Sequence, residues 1–502
     1  FRDRGWQVMA TLPLFAETGT ARPLRPHQST ALAMLKRSFL AGHRRTVCQL
    51  PTGAGKTRLA AEIVSGALAK GRTVAFTVPA ISLVDQTVDS FALEGITQVG
   101  VMQGNHELRN MAMPVQVCSV QTLAQRGCPD VDVVIVDECH QQFEAVRTWM
   151  SKRPNVTFIG LSATPWAKGM GDVWQDLILP VRMQDLIDQG FLAPFRVFAP
   201  SHPDLSGVKT VAGDYHEGQL ADVMGDSALM ADVVRTWLHK ADWQPTLVFA
   251  VNRAHAAQLQ KEFLSAGVPM GYCDAHVQRI ERKFLFDQMA RGELAGIVNV
   301  GTLTTGVDAD VRCVVLARPT KSEMLFVQMI GRALRTAPGK AEALILDHSD
   351  NHARLGFVTD IHHDRLLCGK EKTKTRKEEG EPMPKECKAC GALKPPKVSE
   401  CPSCGFKPER VSEIEVEEGE LVEIKKGKAK PNKADKQAFW AMANYVDRER
   451  GKGGKLAKAL YRGKFGVWPL GLDSTPIPPS PEFLSYEKSR RIAYAKSKGA
   501  RP

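Results

Sequence analysis

Several short stretches of the 502-residue sequence carry residue types and spacings suited to phosphate chemistry. The first, LPTGAGKT, begins at Leu50, follows a short apolar run and precedes a helical pattern. Gly53 and Gly55 allow backbone N–H groups to close around phosphates at a helix N-terminus. In such a loop Lys56 bridges the β- and γ-phosphates and Thr57 holds Mg²⁺. The strict loop pattern has a glycine where this chain has Leu50, so the sequence departs from the pattern at one residue.

A second stretch, VVIVDECH, ends a strand-like apolar run in two carboxylates, Asp137 and Glu138. A carboxylate at such a strand end is placed to reach a metal ion beside a phosphate-binding loop. We therefore expect Asp137 to bind Mg²⁺ and Glu138 to orient and deprotonate the attacking water. Cys139 and His140 offer an alternative, a thiol–imidazole nucleophile pair. Neighbours on an extended strand point to opposite faces, which disfavours that pairing.

A third stretch, QMIGRALR, runs from Gln328 and carries Arg332 and Arg335 three residues apart. Residues with this spacing share one face of a helix. From a second domain, both guanidinium groups can reach across a cleft to the γ-phosphate, where such an arginine raises the rate by ~10³–10⁵. Two surface arginines on a helix are the alternative. We count Gln328, Arg332 and Arg335 as catalytic candidates.

Four of the eleven cysteines form two Cys-x-x-Cys pairs, Cys387 with Cys390 and Cys401 with Cys404. Two such pairs, here ten residues apart, can bind one tetrahedral Zn²⁺ through four thiolates. Four thiolates leave no position for water, so we expect a structural ion and not a catalytic one. An iron–sulfur cluster and a redox-active thiol pair are the alternatives.

The elements that must position these residues alternate between strand and helix patterns. Short β-branched runs such as TVAFTVPA and VTFIGLSA are separated by longer stretches with helical spacing. The alternation begins again with TLVFAVN and GIVNVGTL, after the segment LIDQGFLAPFRVFAP, which we predict to be a crossover linker. Strands that alternate with helices indicate parallel sheets. The predicted fold class is therefore α/β, with two successive parallel-sheet units.

The composition changes beyond these units. GKEKTKTRKEEGEPMPK is dense in charge and has no apolar period, which is typical of a solvated linker. The chain begins with Phe1, and Met9 is a candidate true start. We predict seven segments: an N-terminal extension (1–22), a first α/β domain (23–190), a second (191–356), a charged linker (357–383), a zinc ribbon (384–408), a second charged linker (409–434) and a basic, aromatic C-terminal region (435–502).

The net charge of +12 is concentrated in one part of the chain. Residues 421–502 hold 19 Lys and Arg against 7 Asp and Glu, and the charges of the remaining residues balance. A basic tail favours a polyanion partner such as nucleic acid, because each neutralised phosphate releases counterions. A merely flexible end is the alternative.

The cysteines and the apolar runs argue against two classes of protein. Seven of the eleven cysteines are scattered singly, which is untypical of a secreted disulfide framework. We find no N-terminal leader pattern and no apolar run of membrane-spanning length. We therefore expect a cytoplasmic protein without a membrane partner.

The order of these motifs resembles a known group of enzymes. LPTGAGKT, VVIVDECH, GLSATPW (from Gly160) and QMIGRALR, in this order, resemble the superfamily 2 helicases and translocases of the DEAD/DEAH type. The resemblance implies two tandem RecA-like domains that bind ATP and Mg²⁺ in the cleft between them. It also accounts for Leu50, since members of this superfamily commonly replace the glycine at that position.

The same resemblance implies roles for further residues. LRPHQ looks like the superfamily's adenine-reading element, with Gln28 on the adenine edge and Arg25 beside it. VNVGTLTTGVDAD resembles the segment that couples nucleic acid to nucleotide, where Thr302 would touch a phosphate of the strand. The other candidates form three groups: Thr52, Gly53, Ala54, Gly55, Lys56, Thr57, Gly306 and Asp308 near the nucleotide, Pro79, Gln86, Gln121 and Thr122 in strand-gripping loops, and His140, Ser162 and Thr164 in coupling. Ordinary strand-to-helix turns are the alternative for the strand-gripping group.

Within the superfamily the chain is similar to RadD-like bacterial and phage DNA helicases, through VDECH, LSATPW and LILDHSDN followed by Cys-x-x-Cys pairs. The likeness covers Leu24 to Asn351 and extends only loosely over the cysteines. It implies an ATP-dependent DNA helicase or translocase in DNA repair, recombination or phage replication. A single-strand-binding or recombination protein is a candidate partner. The alternatives are an ATP-switched nucleic-acid-binding subunit of a restriction or recombination assembly, and an RNA helicase.

Two regions outside the motor have open roles. Lysines around the cysteine pairs, together with Phe406, could hold a strand by charge and stacking, or the module could be a scaffold that docks on the motor. Aromatic residues of the tail stand among Lys and Arg, so they could stack on bases or form the core of a small helical domain. These aromatic residues are Tyr461, Phe465, Trp468, Phe483, Tyr486 and Tyr494.

Overall fold

The computed structural model describes residues 23–303, 309–369, 371, 382–408 and 431–499, with the backbone alone for 493–499. The predicted N-terminal extension, part of the first charged linker (370 and 372–381) and most of the second (409–430) lie outside the described residues. So do Gly306 and Asp308, two of the nucleotide-binding candidates. The chain divides into two compact units, residues 1–409 and residues 410–502.

The first domain is built on a sheet of seven parallel strands. The strands are β1 (Arg45–Gln49), β2 (Val74–Val78), β3 (Val99–Met102), β4 (Val115–Ser119), β5 (Val133–Asp137), β6 (Thr157–Ser162) and β7 (Asp176–Ile178). Their order across the sheet is β3–β4–β2–β5–β6–β1–β7. Residues of β2 and β4 are buried at every position, because a parallel sheet is covered on both faces.

Helices cover both faces of this sheet and connect its strands. They are α1 (Pro26–Leu40), α2 (Lys56–Leu68), α3 (Val84–Leu93), α4 (Val120–Arg126), α5 (Glu144–Lys152), α6 (Met170–Val173) and α7 (Met183–Asp188). Proline at the first position of α1 has a backbone angle suited to helix initiation. α2 follows the glycine loop directly, so its N-terminus faces the space that the loop encloses.

The second domain contains a six-stranded parallel sheet. Its strands are β8 (Phe195–Phe198), β11 (Thr246–Ala250), β12 (Met270–Cys273), β13 (Gly296–Asn299), β14 (Cys313–Ala317) and β15 (Ala343–Asp347), and a separate hairpin pairs β9 (Thr210–Val211) with β10 (Asp214–Tyr215). The order is β12–β13–β11–β14–β15–β8. β8 lies in the segment that we predicted to be a crossover linker. That segment instead supplies an edge strand, paired in parallel with β15.

The helices of the second domain connect its strands in the same manner. They are α8 (Glu217–Met224), α9 (Ser227–Lys240), α10 (Arg253–Ser265), α11 (Arg279–Ala290), α12 (Glu323–Ile330) and α13 (Asn351–Leu355). Together the two sheets and their helices form the tandem RecA-like architecture that the motifs predicted.

Residues 357–368 pack against the two domains, although we predicted a solvated linker from residue 357. Val358 is 1% exposed and belongs to the main apolar cluster. The carbonyl oxygen of Leu367 accepts the N–H groups of Gly169 and Gly171 at 3.0 and 2.9 Å. The apolar residues in this stretch explain the difference, because they are buried where a solvated linker would expose them.

The cysteine pairs lie in a small module, residues 382–408, that packs on the second sheet. Its hairpin joins β16 (Lys385–Glu386) to β17 (Leu393–Lys394). Ala392 forms an antiparallel bridge with Phe198 of the edge strand β8. Cys387 and Cys401 are buried in the same apolar cluster as Phe198. This packing favours docking on the motor, one of the two open roles of the module.

Within its described residues, 431–499, the C-terminal unit contains three helices, α14 (Lys433–Glu449), α15 (Lys455–Phe465) and α16 (Pro481–Gly499). The tail aromatics Tyr461 and Phe483 are 2% and 3% exposed and form its core with Phe439. Trp468 is 51% exposed, with the Arg462 guanidinium 4.6 Å from its ring centre. Tyr461 and Phe483 therefore form the core of a small helical domain, which was one of the two alternatives for the tail aromatic residues. Trp468 is exposed and remains available for stacking on bases. The side chain of Tyr494 lies outside the described residues.

No helix in the described part of the chain has both the length and the apolar character needed to cross a membrane.

Candidate active site

The glycine-rich loop has the shape of an anion-binding turn. Gly53 and Gly55 both lie in the left-handed region, with φ of +85° and +83°. A Cβ atom at Gly55 would lie 2.4 Å from the side-chain nitrogen of Gln28, so contact as well as backbone conformation demands glycine there. α2 begins immediately afterwards at Lys56. Its first-turn N–H groups and the positive end of its dipole face the loop.

Two residues at the start of α1 hold this loop from the side. Gln28 is 2% exposed, and its Nε2 donates to the carbonyl oxygens of Ala54 and Gly55 at 3.3 and 3.1 Å. His27 Nε2 lies 2.9 Å from the Ala54 carbonyl oxygen. Burial lowers the pKa of His27, so the ring is neutral and donates through Nε2. The sequence reasoning missed His27, although it stands beside Gln28 in LRPHQ.

Arg25 lies at the same place. Its guanidinium is 3.5 Å from the Gly53 carbonyl oxygen and 5.0 Å from the ring centre of Phe191. Phe191 was not a candidate, because an isolated phenylalanine in a predicted linker gives no functional signal. The structure thus brings Arg25 and Gln28 to the glycine loop, and their contact with adenine remains a prediction.

The carboxylates Asp137 and Glu138 lie at the carboxyl end of β5. Burial, and next the charge of Glu138, raises the pKa of Asp137 to about 7, while the charge of Lys56 acts in the opposite direction. A divalent cation at this carboxylate would favour its ionised form. Glu138 has a left-handed backbone with φ of +46°. Strain of this kind in a residue other than glycine costs about 1–3 kcal/mol and is concentrated at functional sites.

Hydrogen bonds join His140 to the second domain, and the Glu138 carboxylate lies beside His140. His140 Nδ1 lies 3.4 Å from Glu138 Oε2 and 2.8 Å from Ser162 Oγ. Gln328 Nε2, on α12, lies 3.3 Å from His140 Nε2 and 3.2 Å from Thr164 Oγ1. Burial lowers the pKa of His140, so the ring is neutral. The amide of Gln328 then donates to Nε2, and the Nδ1–H donates towards Ser162.

Cys139 does not pair with His140. The two residues lie in a 3₁₀ turn and not on an extended strand. The Cys139 side chain is 3% exposed and packs in an apolar cluster. Burial raises the pKa of its thiol well above the usual range, so no thiolate forms. The thiol–imidazole alternative is therefore excluded on geometry and on charge.

Arg332 and Arg335 lie in a turn after α12, and the prediction that they share one helical face is wrong. α12 ends at Ile330, and the Gly331 N–H donates to the Val327 carbonyl oxygen at 2.9 Å. A Cβ atom at Gly331 would lie 2.9 Å from the Cβ of Thr52. We call residues 331–335 the arginine turn. Its first residue thus contacts the glycine loop of the other domain.

The far end of the arginine turn also lies against the glycine loop. Arg335 forms an antiparallel bridge with Leu192, and the Ala193 N–H donates to the Leu334 carbonyl oxygen at 2.8 Å. The Cβ position of Gly53 lies 3.4 Å from Arg335 Cγ. Arg332 is 5% exposed. Both arginines are therefore held at the cleft between the two domains.

The strand-gripping candidates of the first domain lie at the carboxyl ends of β2 and β4. Gln121 Nε2 donates to the carbonyl oxygen of Pro79 at 2.9 Å, which joins the two predicted loops. Gln86 is exposed on α3. Thr122 is 6% exposed and its hydroxyl lies 2.9 Å from Oγ of Ser119, the residue that caps the N-terminus of α4.

In the second domain Thr302 is half-buried, with Oγ1 3.7 Å from Cys273 Sγ.

A second contact between the two RecA-like domains involves α3, the helix that carries Gln86. Asp85 of α3 forms an ion pair with Arg279 at the start of α11, and His106 Nε2 lies 2.8 Å from Asp85 Oδ1. No sequence signal pointed to this contact, because its members are far apart in the chain.

The four paired cysteines converge as the spacing predicted. All four sulfur atoms lie within 4.8 Å of one another, with Cys387 Sγ 3.8 Å from Cys404 Sγ and Cys390 Sγ 3.7 Å from Cys401 Sγ. A tetrahedral zinc with Zn–S bonds of about 2.3 Å has sulfur–sulfur edges of about 3.8 Å. The sulfur arrangement therefore fits a Zn²⁺ ion.

The chain is similar to two protein families. Residues 22–167 match the family described as "Type III restriction enzyme, res subunit", and residues 229–337 match the family described as "Helicase conserved C-terminal domain". The solved fragment described as an HsdR subunit of a type I restriction enzyme from Vibrio vulnificus has a TM-score of 0.50 at 22% identity, over 65% of this chain and 64% of that one. This structural likeness concerns the fold alone.

Individual relatives agree with the family matches. A "51.5 kDa protein" of a Lactococcus phage is 27% identical over 82% of this chain and 91% of its own length. A protein described as an ATP-dependent helicase, IRC3 of Saccharomyces cerevisiae, is 26% identical over 68% of this chain, which spans 53% of that protein. The EcoAI type I restriction endonuclease subunit of Escherichia coli is 24% identical over 68% of this chain and 48% of its own length. Taken with the two facing RecA-like domains, these matches show that the chain belongs to the superfamily 2 helicases, enzymes that hydrolyse ATP.

Proposed function

We propose that this chain hydrolyses ATP between its two RecA-like domains in order to move along DNA or remodel it. The observation that supports this most strongly is the position of His140, which is joined to Gln328 of the second domain by a hydrogen bond and has Nδ1 3.4 Å from Glu138 Oε2. The predicted water-activating carboxylate thus lies beside a residue that contacts the opposite domain. A protein that only bound ATP would have no need for Glu138 together with Arg332 and Arg335 at the cleft.

The residues of the cleft have distinct tasks in the proposed reaction. Lys56 and the first-turn N–H groups of α2 hold the β- and γ-phosphates. Thr57 and Asp137 bind Mg²⁺, which neutralises charge on those phosphates. Glu138 orients the attacking water and accepts its proton. Arg332 and Arg335 stabilise the negative charge that develops on the transferred phosphoryl group.

Nucleic acid binding follows from the family, and we propose DNA as the physiological strand. Two E. coli relatives are named as type I restriction endonuclease subunits, and such enzymes act on DNA. The basic tail supports a polyanion partner of either kind. Pro79, Gln86, Gln121, Thr122 and Thr302 remain the proposed strand contacts. A role in DNA repair, recombination or phage replication, with a single-strand-binding or recombination protein as partner, also remains a proposal.

A second candidate function is that of an ATP-switched subunit in a larger restriction assembly. The alignment with the EcoAI subunit favours it, since this chain spans 48% of that protein. The rest of such an assembly would then be supplied by other chains. This alternative predicts that the isolated protein has little ATP turnover with any nucleic acid.

We further propose that Cys387, Cys390, Cys401 and Cys404 hold one structural Zn²⁺. The sulfur distances support it, as does the full coordination sphere that four thiolates provide. Burial of two of these cysteines in the core of the second domain makes the ion part of the motor's structure.

Steady-state ATP hydrolysis with single-stranded DNA, double-stranded DNA and RNA tests the proposal. We expect stimulation by DNA above that by RNA, and loss of turnover in Lys56→Ala with folding intact. Stimulation by RNA alone would support an RNA helicase instead. Absence of stimulation by any of the three would favour the ATP-switched subunit.

A further inference from the structure

The side chain of Lys340 is bonded to three backbone carbonyl groups of the second domain. Its Nζ donates to Val311 and Arg335 at 2.7 Å each, and also to Ala333. An ammonium group has three N–H donors, so all of them are used. Hydrogen bonds from a charged donor are about twice as strong as those between neutral groups.

The three carbonyl groups belong to two segments of the second domain. Ala333 and Arg335 lie in the arginine turn, and Val311 lies two residues before β14. The last carbonyl groups of a helix have no N–H partners within that helix, so carbonyl groups at the end of α12 and in the turn after it need donors from elsewhere. Lys340 therefore bonds to two carbonyl groups of the arginine turn and joins this turn to the residues that precede β14.

A second cation holds the loop that carries Lys340. Arg312 donates to the carbonyl oxygens of Pro338 and Gly339 at 2.8 and 3.2 Å, and pairs with Asp310 at 2.9 Å. The loop before Lys340 is thus fixed to the same segment as Val311. Because Arg312 fixes the backbone just before Lys340, it also fixes the place from which the Lys340 side chain extends.

We infer that Lys340 is a positioning residue for ATP hydrolysis, which holds the arginine turn at the glycine loop through the backbone of Ala333 and Arg335. The inference rests on the proposed function of the cleft. Lys340 touches neither substrate nor reacting atoms, so it acts through the arginine turn. Misplacement of a catalytic group by about 1 Å costs about 10²-fold in rate.

The charge state of Lys340 should be visible in the pH dependence of ATP turnover, which a purely structural role of this residue would leave unchanged. Burial lowers its pKa to about 8, with Asp310 opposing that shift and Arg312 adding to it. Below pH 8 the charged group donates three hydrogen bonds. Above pH 8 the neutral amine has two N–H donors and presents a lone pair to the carbonyl oxygens. Turnover should therefore fall as the pH rises through about 8.

The test compares Lys340→Met and Lys340→Arg with wild type and with Lys261→Met, which removes an exposed lysine of α10 in the same domain. Maximal turnover, the KM for ATP and thermal unfolding are measured with saturating DNA at pH 7 and pH 9. We expect Lys340→Met to lower kcat about 10- to 100-fold with KM for ATP within about threefold. Lys340→Arg should retain most activity and lose the alkaline decline, since arginine stays charged. Lys261→Met should match wild type.

Wild-type kcat in Lys340→Met, or the same alkaline decline in wild type and in Lys340→Arg, would overturn the inference. If Lys340→Met does not fold, the two pH profiles decide the question without it. Failure of the proposed function gives a different result from failure of the Lys340 inference, because the wild-type protein itself would then lack ATP turnover stimulated by nucleic acid.

Discussion

At the scale of single residues, the carboxyl end of β5 gives two adjacent acids different environments. Asp137 ends the strand, while the left-handed backbone of Glu138 places its carboxylate near His140. Both acids could be predicted because they are contiguous in a motif. The link from His140 to Gln328 could not, since 188 residues separate them and only the packed fold brings them together. Lys340 and His27 bond to backbone carbonyl groups, so no partner side chain marks them in the sequence.

A double-mutant cycle tests the link between the domains. We expect His140→Ala and Gln328→Ala each to reduce DNA-stimulated hydrolysis, and the double variant to lose less than the two combined. Removal of one hydrogen bond predicts a coupling of about 0.5–1.5 kcal/mol in the activation free energy. The measurement is kcat with saturating ATP and DNA for the four proteins. Additive losses would show that the two side chains act independently.

At the scale of elements, strands were easier to predict than their boundaries with loops. Buried β-branched runs identified the inner strands, because both faces of a parallel sheet are covered. β8 was missed since prolines at 194 and 200 flank it and edge strands tolerate such neighbours. α12 was predicted too long because the arginine spacing fits a helix. Its actual end follows from the tight contact of Gly331 with Thr52.

Substitution of Gly331 tests whether that contact matters. We expect Gly331→Ala to lower kcat about tenfold or more, because the new Cβ would lie 2.9 Å from the Thr52 Cβ and displace the arginine turn. Gly66→Ala is the matched control, since Gly66 lies in α2 with no atom within 4 Å of the new Cβ. That control should keep its activity and gain about 0.5–1 kcal/mol in the free energy of unfolding. Equal activities in both variants would contradict the contact's importance.

At the scale of the whole molecule, motif order predicted two parallel-sheet domains in series. Motif order did not predict the position of the cysteine module, because this position depends on which edge strand of the second sheet has unpaired backbone groups. The module covers the β8 edge, where exposed backbone groups would otherwise invite unwanted pairing. Because Cys387 and Cys401 lie in the core of the second domain, we expect metal binding to stabilise that domain against unfolding.

Metal removal tests this placement. We expect one zinc per chain by metal analysis, and a lower unfolding temperature of the second domain after treatment with a chelator, because the site folds only with its ion. Cys401→Ser should reproduce the loss. Cys128→Ser, which changes an exposed cysteine of the first domain, should not. An unchanged unfolding temperature in the zinc-free protein would mean that the module is an independent attachment.

We propose that the active site is completed by residues of both domains, and the variant Arg335→Ala tests this arrangement. The measurement is kcat for ATP with saturating DNA, alongside the affinity for ATP. Arg291→Ala, an exposed arginine paired with Glu293 in the same domain, is the control. We expect a fall of about 10³-fold or more in kcat for Arg335→Ala with ATP binding retained, and wild-type turnover in the control. Turnover of Arg335→Ala within threefold of wild type would contradict it.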